Sequence, residues 1–143
     1  MNDKILIDTN LWIYLYSKDP PDKYQKVKDL VDEDFDAIIV STQVLGELYN
    51  ALTRKKYRTK DEAEAIIVEM ITTFPIMEIE TVNILKAIEL NKQHQYSYWD
   101  SSVIAAALLN NCHSLYSEDM QHNQLIENSL RIINPFNNEE VTD

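Results

Sequence analysis

Four carboxylates stand where strand-like runs give way to helix-like ones. Asp8 ends the apolar run Lys4-Ile-Leu-Ile-Asp8, and Glu47 lies about one and a half turns into the helical pattern that follows Ala37-Ile-Ile-Val-Ser41. Asp100 falls in the first turn of the helix entered at Ser97, and Asp119 sits two residues past the run His113 to Ser117. No Lys or Arg lies within five residues of Glu47, Asp100 or Asp119, and only Lys4 is near Asp8. Carboxylates that converge without bases make a site for hard, oxygen-preferring cations, Mg²⁺ or Mn²⁺. Such an ion acidifies a bound water and acts as a Lewis acid. That chemistry requires no histidine, and His94, His113 and His122 show no metal-ligand spacing. His122, three residues from Asp119, is the best placed of them.

Each acid also has an ordinary explanation. Asp8 is a favoured helix cap. Ser97-Tyr-Trp-Asp100 fits a capping box. Asp119, in Ser117-Glu-Asp-Met120, suits a turn, and Glu47 could face solvent. Glu47 is the hardest to explain away. Val44, Leu45, Leu48 and Tyr49 surround it on a face that must be buried, and a carboxylate at that edge needs a partner or a metal.

The elements that must carry these acids follow from periodicity. Buried-strand runs are expected at 4–8, 37–41, 75–79, 113–117 and 130–134. Helical spacing is expected over 9–16, 22–34, 42–56, 81–95 and 98–111, and after Thr59-Lys-Asp-Glu62, a capping box. The helix at 81–95 is expected to bury Val82, Leu85, Ile88 and Ile84, and that at 98–111 to be central because its middle is almost wholly apolar. Alternating strands and helices imply an α/β fold. Its parallel central sheet has about five strands, with helices on both faces. In such sheets sites gather outside the carboxyl ends of the strands. One domain is expected over 1–137, with a short acidic tail, 138–143.

Composition removes competing functions. The chain has 143 residues and one glycine, Gly46, so a P-loop, a dinucleotide fingerprint and a serine-hydrolase elbow cannot be built. One cysteine, Cys112, allows neither an internal disulfide nor a cysteine zinc site. The longest clean apolar run, Val103 to Leu109, has seven residues, against about 20 for a membrane helix. No membrane partner and a cytoplasmic location are expected. With 24 acids against 13 bases, a net charge of −11 argues against nucleic-acid binding by bulk charge. Charge must act locally, and Arg54-Lys-Lys-Tyr-Arg-Thr-Lys60 holds five of the thirteen bases. Arg54, Lys55, Lys56, Arg58 and Lys60 form either a phosphate-gripping patch or a solvated helix end favoured by the macrodipole. Trp12, Tyr14 and Tyr16 are expected in the core or an interface.

Ile5-Leu-Ile-Asp-Thr-Asn10, Ser41-Thr-Gln-Val-Leu-Gly-Glu47, Tyr98-Trp-Asp-Ser-Ser-Val-Ile-Ala-Ala-Ala107 and Leu115-Tyr-Ser-Glu-Asp119 resemble, in order and spacing, the four motifs of PIN-domain ribonucleases. Ile132-Ile-Asn-Pro-Phe136 is similar to the family's last strand, so the resemblance covers residues 4 to 136. It is nearest to VapC-type toxins of toxin–antitoxin pairs. The resemblance implies a metal-dependent endoribonuclease in which Asp8, Glu47, Asp100 and Asp119 bind one or two Mg²⁺ or Mn²⁺ ions. It gives Thr9, Asn10 and Ser117 a supporting role around the acids, metal or water. Ser117 stands where threonine is commoner in the family. The implied partners are an RNA substrate, a cognate antitoxin and a second copy in a homodimer. Two other functions keep some support from the residues: a catalytically silent PIN-fold interaction module, and a receiver-like phosphoacceptor. The second needs a lysine near the end of a late strand, and no lysine follows Lys92.

Overall fold

The computed structural model describes residues 3–141. Six strands form one sheet, β1 (Ile5–Ile7), β2 (Ile38–Ser41), β3 (Ile76–Met77), β4 (Ser114–Tyr116), β5 (Leu125–Ile126) and β6 (Leu130–Ile133). Their order is β3-β2-β1-β4-β6-β5, all parallel except β5, which runs antiparallel to β6. Six helices connect them: α1 (Thr9–Ser17), α2 (Pro21–Glu33), α3 (Thr42–Arg54), α4 (Lys60–Thr73), α5 (Thr81–Gln93) and α6 (Tyr98–Leu109). The α/β class, the parallel sheet and the two helical layers agree with the sequence reading.

Alternation along β1 splits the core in two. Ile5 and Ile7 point to a cluster built with α1, α2, α3 and α4, whereas Leu6 points to one built with α5 and α6. All three are buried, as a central strand covered on both faces requires. Trp12 anchors the first cluster, fully buried, with its indole N–H donating to the Ile7 carbonyl at 3.2 Å. Helix α6 buries Ser101 through Ala107 without a break, as its apolar middle predicts.

Two expectations are corrected. The sheet gains a strand, β5, joined to β6 by a turn whose Glu127 and Asn128 adopt positive φ. The face of α5 is also different: it buries Asn83, Ala87 and Leu90, leaving Val82, Ile84, Leu85 and Ile88 exposed. The physical reason is α6. Its Ala105-Ala106-Ala107 surface lets α5 approach closely through small side chains such as Ala87. The Asn83 amide oxygen is occupied locally, accepting the Glu80 N–H at 2.9 Å. Of the expected tail, residues 142 and 143 lie outside the described residues, as do residues 1 and 2 of the expected domain.

Candidate metal centre

In the strand order, β1 is flanked by β2 on one side and β4 on the other, so successive connections leave it in opposite directions. The crevice outside its carboxyl end is the usual site position in an open α/β sheet. Asp8 follows β1 into this crevice, and Ser117 follows β4. The Ser117 hydroxyl donates to Asp8 Oδ2 at 2.9 Å, and the Thr9 N–H donates to Asp8 Oδ1 at 2.8 Å. Asp8 is thus the cap of α1, as its ordinary explanation held, and a buried carboxylate at the sheet's switch point as well.

The other acids come from three more segments. Glu47 projects from the second turn of α3, exposed, and accepts the Thr9 hydroxyl at 2.8 Å. Glu47 thus faces solvent, as its ordinary explanation held, and has the Thr9 hydroxyl as a partner as well. Asp119, also exposed, accepts from the Asn10 amide. Its own N–H donates to the Ser117 hydroxyl at 3.2 Å. Asp100 is half-buried in the first turn of α6, whose Ser97 cap accepts the Asp100 N–H at 3.1 Å. Thr9, Asn10 and Ser117 therefore contact the acids, each bridging to a carboxylate.

Electrostatics bind the four into one group. Burial pushes the Asp8 carboxyl up to about 6; the Thr9 and Ser117 hydrogen bonds oppose this, while the charges of Asp100 and Glu47 add to it. Burial likewise raises Asp100, and Asp119 and Glu47 add repulsion. No salt bridge among the described residues reaches any of the four. An all-oxygen donor set carrying uncompensated negative charge fits a hard divalent cation. As the side chains stand, no three described His, Cys, Asp or Glu residues close on one point that could hold a metal. Closing on an ion therefore needs rotation of side chains between rotamers, and Glu47 and Asp119 are exposed enough to turn.

Some participants escape the sequence. Glu118, the acid beside Asp119, turns away and pairs with Lys23 Nζ at 2.8 Å while accepting from the Tyr14 hydroxyl. Lys23 Nζ also sits 4.9 Å from the ring centres of both Tyr14 and Phe136. This clamp ties α1, α2 and the chain end to the segment that carries Asp119. Gln43, one turn before Glu47, accepts the Ser102 hydroxyl at 2.7 Å and so links α3 to α6. The i, i+4 spacing of Gln43 and Glu47 is a signal for the second; nothing local announces Lys23. His122 is engaged structurally: its Nδ1 accepts the Asn134 N–H at 2.9 Å and its Nε2 lies 3.1 Å from the Glu139 carbonyl. In the basic run, the Arg58 guanidinium donates to the Tyr16 carbonyl, whereas Arg54, Lys55, Lys56 and Lys60 are exposed.

This fold has known counterparts. A toxin–antitoxin complex from Klebsiella pneumoniae matches with a TM-score of 0.71 at 19% identity, over 93% of this chain and 98% of that one. VapC20 of Mycobacterium tuberculosis, a toxin that cleaves the sarcin–ricin loop, matches with a TM-score of 0.67 at 20% identity, over 78% and 87%. DNA-bound VapBC from Salmonella typhimurium matches with a TM-score of 0.66 at 16% identity, over 90% and 96%. No curated relative matches by sequence. The sequence profile of the PIN domain covers residues 5–127, a span that contains all four acids and both strands flanking the crevice, and the chain belongs to the PIN domain family.

Proposed function

We propose that this chain is a divalent-cation-dependent endoribonuclease and the toxin of a toxin–antitoxin pair. One observation carries this: Asp8, Glu47, Asp100 and Asp119, from four segments, are linked by mutual charge repulsion near the sheet's switch point, with no salt bridge to them among the described residues. When bound, one or two Mg²⁺ or Mn²⁺ ions would polarise the phosphoryl group and acidify a water. Asp8 would hold the ion from the sheet floor, with Ser117 and the Thr9 N–H fixing its two oxygens. Asp100 and Asp119 would close on it from opposite walls. Glu47, held by Thr9, would accept a proton from the attacking water. Asn10 would steady Asp119 through its amide hydrogen bond.

Neither β4 nor β6 ends on lysine, which leaves a receiver-like phosphoacceptor without its phosphoryl-binding cation. Intact acids count against a silent interaction module. The structural counterparts described as toxin–antitoxin complexes support an antitoxin partner. Guanidinium matches carboxylates in bidentate fashion, so the partner is expected to set an arginine against Asp8 and its neighbours and displace metal. A homodimer would have the exposed apolar row of α5 to bury. Arg54, Lys55, Lys56 and Lys60 are proposed to grip RNA phosphates beyond the crevice. No helix among the described residues is long and apolar enough to cross a membrane.

The deciding experiment is cleavage of single-stranded RNA by the purified chain with Mn²⁺ or Mg²⁺, with EDTA and Asp8→Asn as controls. Metal-dependent cleavage lost in Asp8→Asn is expected. Undiminished turnover by Asp8→Asn at saturating metal would remove the acids from the chemistry.

A further inference from the structure

An RNA strand entering this crevice meets four carboxylates with no cation of the protein paired to them. The bases of the run 54–60 are remote. Arg54 stands seven residues beyond Glu47 on α3. At the rise of an α-helix that separation is roughly 10 Å along the axis. In the metal-free protein, then, affinity for RNA near the acids would come from contacts that do not depend on charge. Stacking of a nucleobase on an aromatic side chain is such a contact.

Three aromatic side chains among the described residues are clearly exposed: Phe35, Tyr57 and Trp99. Phe35 leads into the amino end of β2, opposite the crevice, and packs on Phe74 with ring centres 5.2 Å apart. Tyr57 belongs to the basic turn after α3. Trp99 alone adjoins an acid of the site, being the neighbour of Asp100 in the first turn of α6. Burial of an indole is strongly favourable. Trp99 is nonetheless 65% exposed. Its orientation is set from below. Tyr98, packed against the core, meets it edge-on with ring centres 5.1 Å apart and planes at 80°. The indole is thus a supported platform, open to solvent, beside a carboxylate that would hold the ion.

We propose that Trp99 is a base-stacking subsite for the RNA, receiving the nucleobase next to the phosphate that the acids address. The proposal rests on the nuclease reading and deepens it by naming where a base is held. Stacking tolerates any base but favours the larger purines.

The test exploits the chain's two tryptophans. Trp12 is fully buried, so iodide-accessible emission belongs to Trp99. The full chain is titrated in EDTA with single-stranded oligoadenylate, and separately with the same backbone lacking its bases. Quenching of the iodide-accessible emission by oligoadenylate alone is expected. Trp99→Ala should weaken oligoadenylate binding about tenfold, as one lost stacked base does, with little effect on the abasic strand. Trp99→Phe should recover most of the loss, and in Mn²⁺ the effect should appear in KM. RNA bound or cleaved with Trp99 emission unchanged would overturn the subsite and leave the nuclease reading intact. No binding and no metal-dependent cleavage at all would overturn both. Emission that shifts with protein concentration alone would place Trp99 in a contact between copies and also overturn the proposal.

Discussion

The two walls of the acidic crevice are built differently. On the β1–β4 side, Asp8 and Asp119 take hydrogen bonds from Thr9, Ser117 and Asn10, and the Lys23–Tyr14 clamp fixes the adjacent Glu118. On the α6 side, the Asp100 hydrogen bond stays within its own turn, at Ser97, and Trp99 beside it lies in solvent. The Gln43–Ser102 hydrogen bond, half a turn further in, ties this wall to α3. The knitted wall sets where an ion would sit, at the cost of crowding a buried carboxylate. The open wall has room for a substrate to arrive.

The largest expected effect is at the centre of the knitted wall. Asp8→Asn should abolish cleavage, by more than the about 100-fold typical of outer-shell changes at metal sites. The metal-free protein should respond oppositely. Burial pushes the Asp8 carboxyl up to about 6 in the folded chain, above its ordinary value of 3.8. Folding therefore takes up a proton between those two values. Stability of the metal-free wild type should be fully present below that window and fall as pH rises through the folded value. The ceiling is about 3 kcal/mol for a difference of about two pH units. Denaturant melts from about pH 7 down to about pH 5 in EDTA, which cover the folded-state titration and so about half of this ceiling, check it. A flat profile in wild type, or the same slope in Asp8→Asn, would show that Asp8 ionises freely and that the wall does not crowd it.

Next comes Ser117→Ala, which removes a donor to Asp8 and keeps the fold. Its Mn²⁺ affinity should drop about 10-fold, the lower end for a lost outer-shell hydrogen bond. Ser117→Thr keeps the hydroxyl and should recover it. Calorimetric titration with Mn²⁺ separates the two, and equal affinities in Ser117→Ala and wild type would leave the hydrogen bond without a role in metal binding.

Most of this arrangement is legible in the residues alone. Strands buried on both faces read as short continuous apolar runs, and β1, β2, β4 and β6 fall where such runs stand. The four acids are expected at strand-to-helix transitions, and of the four Asp8 alone lies at one: Glu47 is in the second turn of α3, Asp100 follows the turn between α5 and α6, and Asp119 leads from β4 towards β5. Periodicity fails at α5, because it reports where apolar residues are and not which neighbour can come close. Small residues on α6 select the Ala87 face instead. The edge strand β5 has two residues, too short for any pattern. Lys23 is invisible for another reason: its partner Glu118 is 95 positions away, and only tertiary structure pairs them.

The smallest effect expected is at that clamp. Lys23→Met removes a cation that Glu118 and Tyr14 hold, and the Glu118 hydrogen bond is what chiefly raises the Lys23 pKa. The pair is partly exposed, with 32% of the Lys23 side chain and 17% of the Glu118 side chain in solvent. Screened in this way, the pair contributes about 1 kcal/mol or less to stability. The methionine retains apolar packing between the Tyr14 and Phe136 rings, which keeps the loss small. Function should register the change differently. With Lys23 gone, the unpaired Glu118, one residue from Asp119, would by charge alone favour a cation, so a fall in affinity reports that the segment Lys23 anchored has turned. Mn²⁺ affinity should fall a few-fold, and Lys23→Arg, which restores the charge, should recover it. The double variant Lys23→Met/Glu118→Gln distinguishes anchoring from charge: it removes both charges of the pair, so an anchoring role predicts weaker Mn²⁺ binding here too. If the double variant binds Mn²⁺ as wild type does, Lys23 only neutralises a neighbour, and the knitted wall ends at Asn10.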